Sequence, residues 1–315
     1  MVSQTIKELE KPLAKLYEVP IEEILGDLQT VANRYPDHAG PHLTIVLTSA
    51  MSRHDAKNIG KNHLDKAKHI INSGGRNDAE SKFMESLFNV LKMEYDIALN
   101  CRPSQVQHFD ETKLMDLALK EIEIIRGLQQ IGTFLPKAKG SKLPHIIFAA
   151  LRTLSKVSGT KTRDFRLGIS MLSRVFRSND ELKYFSGYFL MQGYRRAGRI
   201  RQALDIGSQI QRKYPRNAMI LSFMGNLHLI AGNKREAERD FKNAISLDPT
   251  TPGHYLSYSR VLKNMRKIDE ANDMLRKVQE LDRRNLFARK IKDLKTQINI
   301  AERIIPQLKE LGVIR

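Results

Sequence analysis

The stretch from Tyr184 to Asn285 repeats itself at a step of 34 residues. Ala203, Ala237 and Ala271 follow one another at that step, as do Gly198 and Gly232, Pro215 and Pro249, and the dipeptides Leu247-Asp248 and Leu281-Asp282. A fixed period of this length, with small residues at set offsets, predicts helix–turn–helix units arranged in series. Within a unit two antiparallel helices must approach closely, so small side chains (Gly225, Ala237, Ala244) belong where the backbones meet. Gly232 allows the chain to turn between the helices, and Pro249 stops the second helix before the next begins. One helix pair cannot bury its apolar face alone, so neighbouring units must stack.

The best copy, Ala218 to Pro249, reads AMILSFMGNLHLIAGNKREAERDFKNAISLDP. It resembles the tetratricopeptide repeat family. Leu221 stands at the family's tryptophan position, Met224-Gly225 at its Leu-Gly step and Gly232 at the inter-helix turn, followed by Ala237, Phe241, Ala244 and Pro249. The usual tyrosine is replaced by His228. The preceding copy has Leu190, Tyr194, Gly198, Ala203, Ile210 and Pro215. The following one has Tyr255, Tyr258, Leu262, Ala271, Leu275 and Val278, with Arg283 where proline belongs. The resemblance covers about residues 150–285.

The expected fold is therefore all-α, a helix–turn–helix repeat solenoid with a helical N-terminal region and a C-terminal capping helix. Three segments follow: residues 1–140, helical and compatible with divergent repeats; 141–285, the repeats, with clear copies at 184–217, 218–251 and 252–285; and 286–315, the cap. Gly168 lies 35 residues before Ala203, which points to an atypical first repeat with one inserted residue. Ile291, Leu294, Ile298 and Ile304 fall on roughly one side of the last helix, as a cap over the final repeat requires.

The N-terminal region reads as short helices: Lys7 to Tyr17, broken by Pro12, and Ile21 to Tyr35, between Pro20 and Pro36. A helical hairpin is expected from Lys61–Asn72 and Asp78–Leu99 around Ser73-Gly74-Gly75, then a helix from Asp110 to Gly132. Thr133 to Pro144, rich in Lys, Gly and Pro, reads as a loop and soft boundary. Helices at about Pro144–Ser158 and Asp164–Arg177 precede the clear copies.

No chemistry-bearing motif stands out. His38 and His42 are four apart, but Gly40-Pro41 between them interrupts the helical face that a metal pair would need. His54, His63 and His69 lack ligand spacing and read as packing or solvent-facing residues. Cys101 is the single cysteine, so no internal disulfide framework is expected and a reducing cytoplasm fits. No Walker A, G-x-S-x-G, H-E-x-x-H or dinucleotide motif is present, and an enzyme is not expected. No cofactor and no metal are assigned. The N-terminus lacks the apolar core of a secretory leader, and no stretch is long enough to span a bilayer.

Charge bears on the partner. The formal net charge is +18: residues 1–150 hold 19 Lys and Arg against 19 Asp and Glu, and residues 151–315 hold 34 against 16. The whole excess lies in the repeat half, a footprint of an acidic partner. In the family resembled, the first helix of each repeat lines a concave groove. That resemblance implies contact positions at Phe185, Tyr188, Gln192, Arg195 and Arg196 in the first clear copy. It adds Ser222 and Asn226 in the second, and Leu256, Arg260 and Lys263 in the third. Such a groove suits a peptide segment carrying carboxylates. Family members that clamp a chaperone's acidic tail need a lysine and a second asparagine where this chain has Ser222 and Ser257, so that particular ligand is disfavoured. The function expected is a non-enzymatic protein-interaction scaffold or adaptor. The alternatives are an RNA- or single-stranded-nucleic-acid-binding repeat protein, and an accessory or targeting subunit of an enzyme complex.

Overall fold

The computed structural model describes residues 4–49, 56–73, 79–100, 124, 127–131, 142–154, 159–178, 180–282 and 287–310. Secondary structure among these residues is all α-helical. The chain divides into two compact units, Met1–Ile206 and Gly207–Arg315.

The first unit contains α1 (Gln4–Ala14), α2 (Ile21–Arg34), α3 (Ala39–Ser49), α4 (Ala56–Ser73), α5 (Ala79–Asn100), α6 (Leu143–Leu154), α7 (Arg163–Arg177) and α8 (Lys183–Arg196). Helix α3, AGPHLTIVLTS, is buried along its whole length and packs against α1, α2, α4 and α5, so it is the core of the N-terminal part. Helix α1 departs from expectation. It passes through Pro12 and ends at Ala14: the proline gives up one intrahelical N–H bond, while Leu9, Pro12 and Leu13 all lie on the buried face. The Gly74-Gly75 turn, the boundary near residue 140 and most of the helix expected at 110–132 lie outside the described residues, although 127–131 are helical.

Helices α6 and α7 form a tight pair. A Cβ on Gly168 would lie 2.8 Å from the carbonyl oxygen of Ala149 and collide with the Thr153 hydroxyl. Gly193 of α8 likewise faces Thr153 and Ile169, at 2.6 Å from the Ile169 Cδ1 for an added Cβ. Glycine is needed at both places because three helices converge there.

Helix α9 (Ile200–Lys213) crosses the division between the units. The second unit continues with α10 (Ala218–Ile230), α11 (Lys234–Leu247), α12 (Pro252–Asn264), α13 (Ile268–Leu281) and α14 (Ala288–Glu310). Within the second unit α10 pairs with α11 and α12 with α13.

The inter-helix turns recur with the period. The N–H of Arg199 bonds to the carbonyl of Tyr194 at 2.9 Å, that of Asn233 to His228 at 2.8 Å, and that of Lys267 to Leu262 at 3.0 Å. This reach of five residues back is the Schellman closure of a helix, which places one residue in left-handed backbone. Gly198 (φ 70°) and Gly232 (φ 83°) fill that position in two copies; in the third it is Arg266 (φ 62°). Between α10 and α11 the close approach occurs at Gly225, where a Cβ would meet the Phe241 ring at 2.9 Å.

A continuous apolar core runs from α11 to α14. Phe241, Leu262, Leu275 and Val278 are fully buried in it, and α14 closes it with Ile291, Leu294 and Ile298. The capping role expected of this helix is what it performs. Ile304 lies among residues whose side chains are not described.

Candidate functional site

The first unit carries five of the expected groove residues. Phe185 is 1 % exposed and stacks edge-on against Phe189 at 5.1 Å, so it is a core residue and not a surface contact. Its ring fills the helix interface. Tyr188 is half-buried, and its hydroxyl accepts a hydrogen bond from Gln192 Nε2 at 3.2 Å. Arg196 is half-buried and donates from Nη1 to the Thr153 carbonyl at 2.9 Å, tying α8 to α6. Arg195 is exposed.

In the second unit Ser222 and Leu256 are buried. Asn226 is half-buried and returns its Nδ2 to the Ser222 carbonyl at 2.7 Å. Arg260 and Lys263 behave differently. They project from α12 into a cleft of about 260 Å³, beside Asn264 and with Leu229 of α10. Helix α14 forms the other wall through Lys290, Asp293, Leu294 and Gln297. Lys263 Nζ spans the cleft to Gln297 Oε1 at 2.8 Å. Arg260 is exposed and makes no ion pair among the described residues. Three cations, one carboxylate and two leucines are among the residues that line the cleft.

Lys290 and Gln297 were not among the sequence candidates, yet the signal was present. Lys263 and Gln297 are one repeat step, 34 residues, apart, and Leu229 is one step earlier. Helix α14 therefore occupies the place of the first helix of a further repeat, and its side chains fall at the same groove positions. In its period and its turns the repeat resembles the tetratricopeptide repeat.

No family model matches this sequence, and no curated protein does. Solved structures similar to this chain include TTC0263, a thermophilic TPR protein of Thermus thermophilus. It is 15% identical, with 84% of this chain and 98% of that one covered and a TM-score of 0.34. Another is yeast Tom70, 12% identical, with 90% of this chain and 63% of that one covered and a TM-score of 0.42.

The cleft sits on a firm scaffold. Glu238 of α11 accepts from the Tyr258 hydroxyl at 3.1 Å, from Lys267 Nζ at 3.1 Å and pairs with Lys242 at 2.9 Å. Burial works to raise the Glu238 pKa, but these hydrogen bonds outweigh it and hold the carboxyl below its ordinary value. Asp248 accepts from Thr250 and Thr251 and lies 3.5 Å from His254, and Asp282 accepts from the Phe287 N–H, so each aspartate pins the start of the next first helix.

Other polar clusters are internal. His42 and His63 face each other with Nδ1 atoms 2.8 Å apart, buried between α3 and α4. Nothing in their spacing predicts the pairing, since their juxtaposition depends on tertiary packing. His228 lies 3.7 Å from the buried Asp240, whose pKa is raised by burial. Among the described residues no group of three or more His, Cys, Asp and Glu could hold a metal ion, and no helix is long and apolar enough to cross a membrane. Cys101 and His54 lie outside the described residues.

Proposed function

We propose that the chain is a non-enzymatic scaffold that binds an acidic segment of a partner protein on its repeat surface. One observation carries this reading: Arg260, Lys263 and Lys290 converge on a single cleft built from groove positions of two successive first helices. An open, cation-lined cleft favours binding over chemistry, because nothing in it excludes water from a reacting bond. The excess of positive charge in the same half of the chain supports an anionic partner. A charge excess in this half also suits nucleic acid, so the test separates the two.

Affinity capture from a lysate of the source cell, with and without nuclease at moderate salt, is the experiment. A protein partner retained after nuclease and lost from the Arg260→Glu/Lys263→Glu variant is the expected result. Capture that collapses with nuclease assigns the chain to nucleic-acid binding instead. Capture indifferent to the double variant moves the binding surface elsewhere, and Arg195→Glu, exposed in the first unit, is then the next substitution.

A further inference from the structure

We propose that the outward face of α7 is a docking surface for a bilayer that carries anionic lipids. The surface belongs to the first unit and is independent of the α12–α14 cleft. At about 100° per residue, Arg163, Arg166, Arg174 and Arg177 fall within an arc of about 80° on α7, with Ser170 at its centre. The line they form is about 21 Å long at the rise of an α-helix. Phe165, Leu172 and Phe176 lie on the opposite side, buried where α7 packs on α6 and α8. All four arginines are exposed, and none forms an ion pair among the described residues. The one carboxylate within α7, Asp164, lies off the stripe and is paired with Arg152 at 2.9 Å. Helix stability does not account for the pattern. Arg174 and Arg177 suit the dipole of the last turn, but Arg163 and Arg166 stand in the first turn, where it disfavours cations. Like charges three positions apart repel as well, at both ends of the helix. An external polyanion relieves both costs.

The form of the stripe selects among polyanions. A straight line of cations on the outermost edge of a helix meets a plane along its whole length. Reading or stacking on a nucleic acid calls for carboxamide or aromatic side chains, and the exposed face of α7 carries neither. Leu167, beside the arginines, is 43 % exposed. An aliphatic side chain has no partner on a phosphate backbone, whereas at a bilayer it enters the boundary between headgroups and acyl chains. The buried side of α7 is committed to the core, so the helix rests on the surface without leaving its fold. Each cation close to an anionic bilayer strengthens attachment by roughly fivefold, so four of them give a reversible, salt-sensitive association.

Co-sedimentation of the full chain with vesicles tests this, using phosphatidylcholine alone or with about a quarter phosphatidylserine. The chain is expected to sediment with the anionic vesicles at low salt, to be released at high salt and to ignore the neutral ones. Arg166→Glu/Arg174→Glu should weaken attachment by roughly 25-fold or more, and Leu167→Gln by about threefold with the same salt dependence. Lys213→Glu/Arg235→Glu, which reverses two exposed cations elsewhere, should leave most of the attachment in place. Circular dichroism checks that each variant keeps its helices, and the comparison of the two vesicles on the unsubstituted chain needs no variant. No sedimentation with anionic vesicles at low salt overturns the proposal. Equal losses from the two double variants also overturn it, because general charge would then be the cause. A labelled oligouridylate that binds through the α7 arginines while anionic vesicles do not bind overturns it in favour of nucleic acid. None of these results bears on the cleft, whose own test is protein capture.

Discussion

Arg266 holds a backbone conformation that the two earlier copies give to glycine, with φ at 62°. An L side chain there costs about 1–2 kcal/mol in steric strain, partly offset by the lower entropy of the unfolded chain relative to glycine. Arg266→Gly should therefore stabilise the second unit by about 0.5–1 kcal/mol, read as a higher urea midpoint with unchanged slope. A second residue-scale consequence concerns pH. Burial, followed by Lys66, lowers the His42 pKa from 6.5 to about 4, and burial, followed by His42 and Lys66, does the same to His63. The folded-state value lies below the unfolded one, so below about pH 6.5 the unfolded chain takes up protons that the folded chain refuses. Stability from this pair is complete above that pH and is lost progressively as pH falls toward about 4. Urea unfolding at a series of pH values should show this slope, and His63→Gln should flatten it; an unchanged slope in the variant assigns the pH dependence to other groups.

At the scale of elements, α14 is the piece whose removal the core would feel. Ile298 is fully buried and packs with α12 and α13 residues, whereas Ile300, two positions on, is 50 % exposed. Ile298→Ala should cost about 2–4 kcal/mol, and Ile300→Ala less than about 0.5 kcal/mol, compared by thermal denaturation. Equal effects would mean that α14 does not close the core. The elements were largely legible in the sequence where local chemistry repeats: Gly198 and Gly232 mark the turns, and Ala237, Ala244 and Gly225 mark the contacts between helices. Legibility failed where tertiary packing decides. Phe185 reads as a groove aromatic by its position but lies in the core, because α8 buries the face that resemblance turns outward. Pro12 reads as a break, yet burial of Leu9 and Leu13 carries the helix past it. The cleft is half legible: register marks Arg260 and Lys263 as groove positions, while Lys290 and Gln297 lie on α14, beyond the last clear copy of the repeat.

For the whole molecule, charge and recognition separate. With 34 Lys and Arg against 16 Asp and Glu, residues 151–315 should be retained on a heparin column at low salt whatever the state of the cleft. Arg260→Glu changes that charge excess only slightly, so its elution salt should shift little even where it abolishes peptide binding. A large shift would show that Arg260 dominates general polyanion attraction as well. Finally, the 34-residue spacing between Lys263 and Gln297 has a bearing on how such a chain can grow. Helix α14 starts where another repeat would start, so the terminal helix is a plug that fits a standard socket. An in-frame duplicate of residues 218–251 inserted ahead of it would present the plug with a familiar socket again, lengthening the array by one unit while keeping its ending.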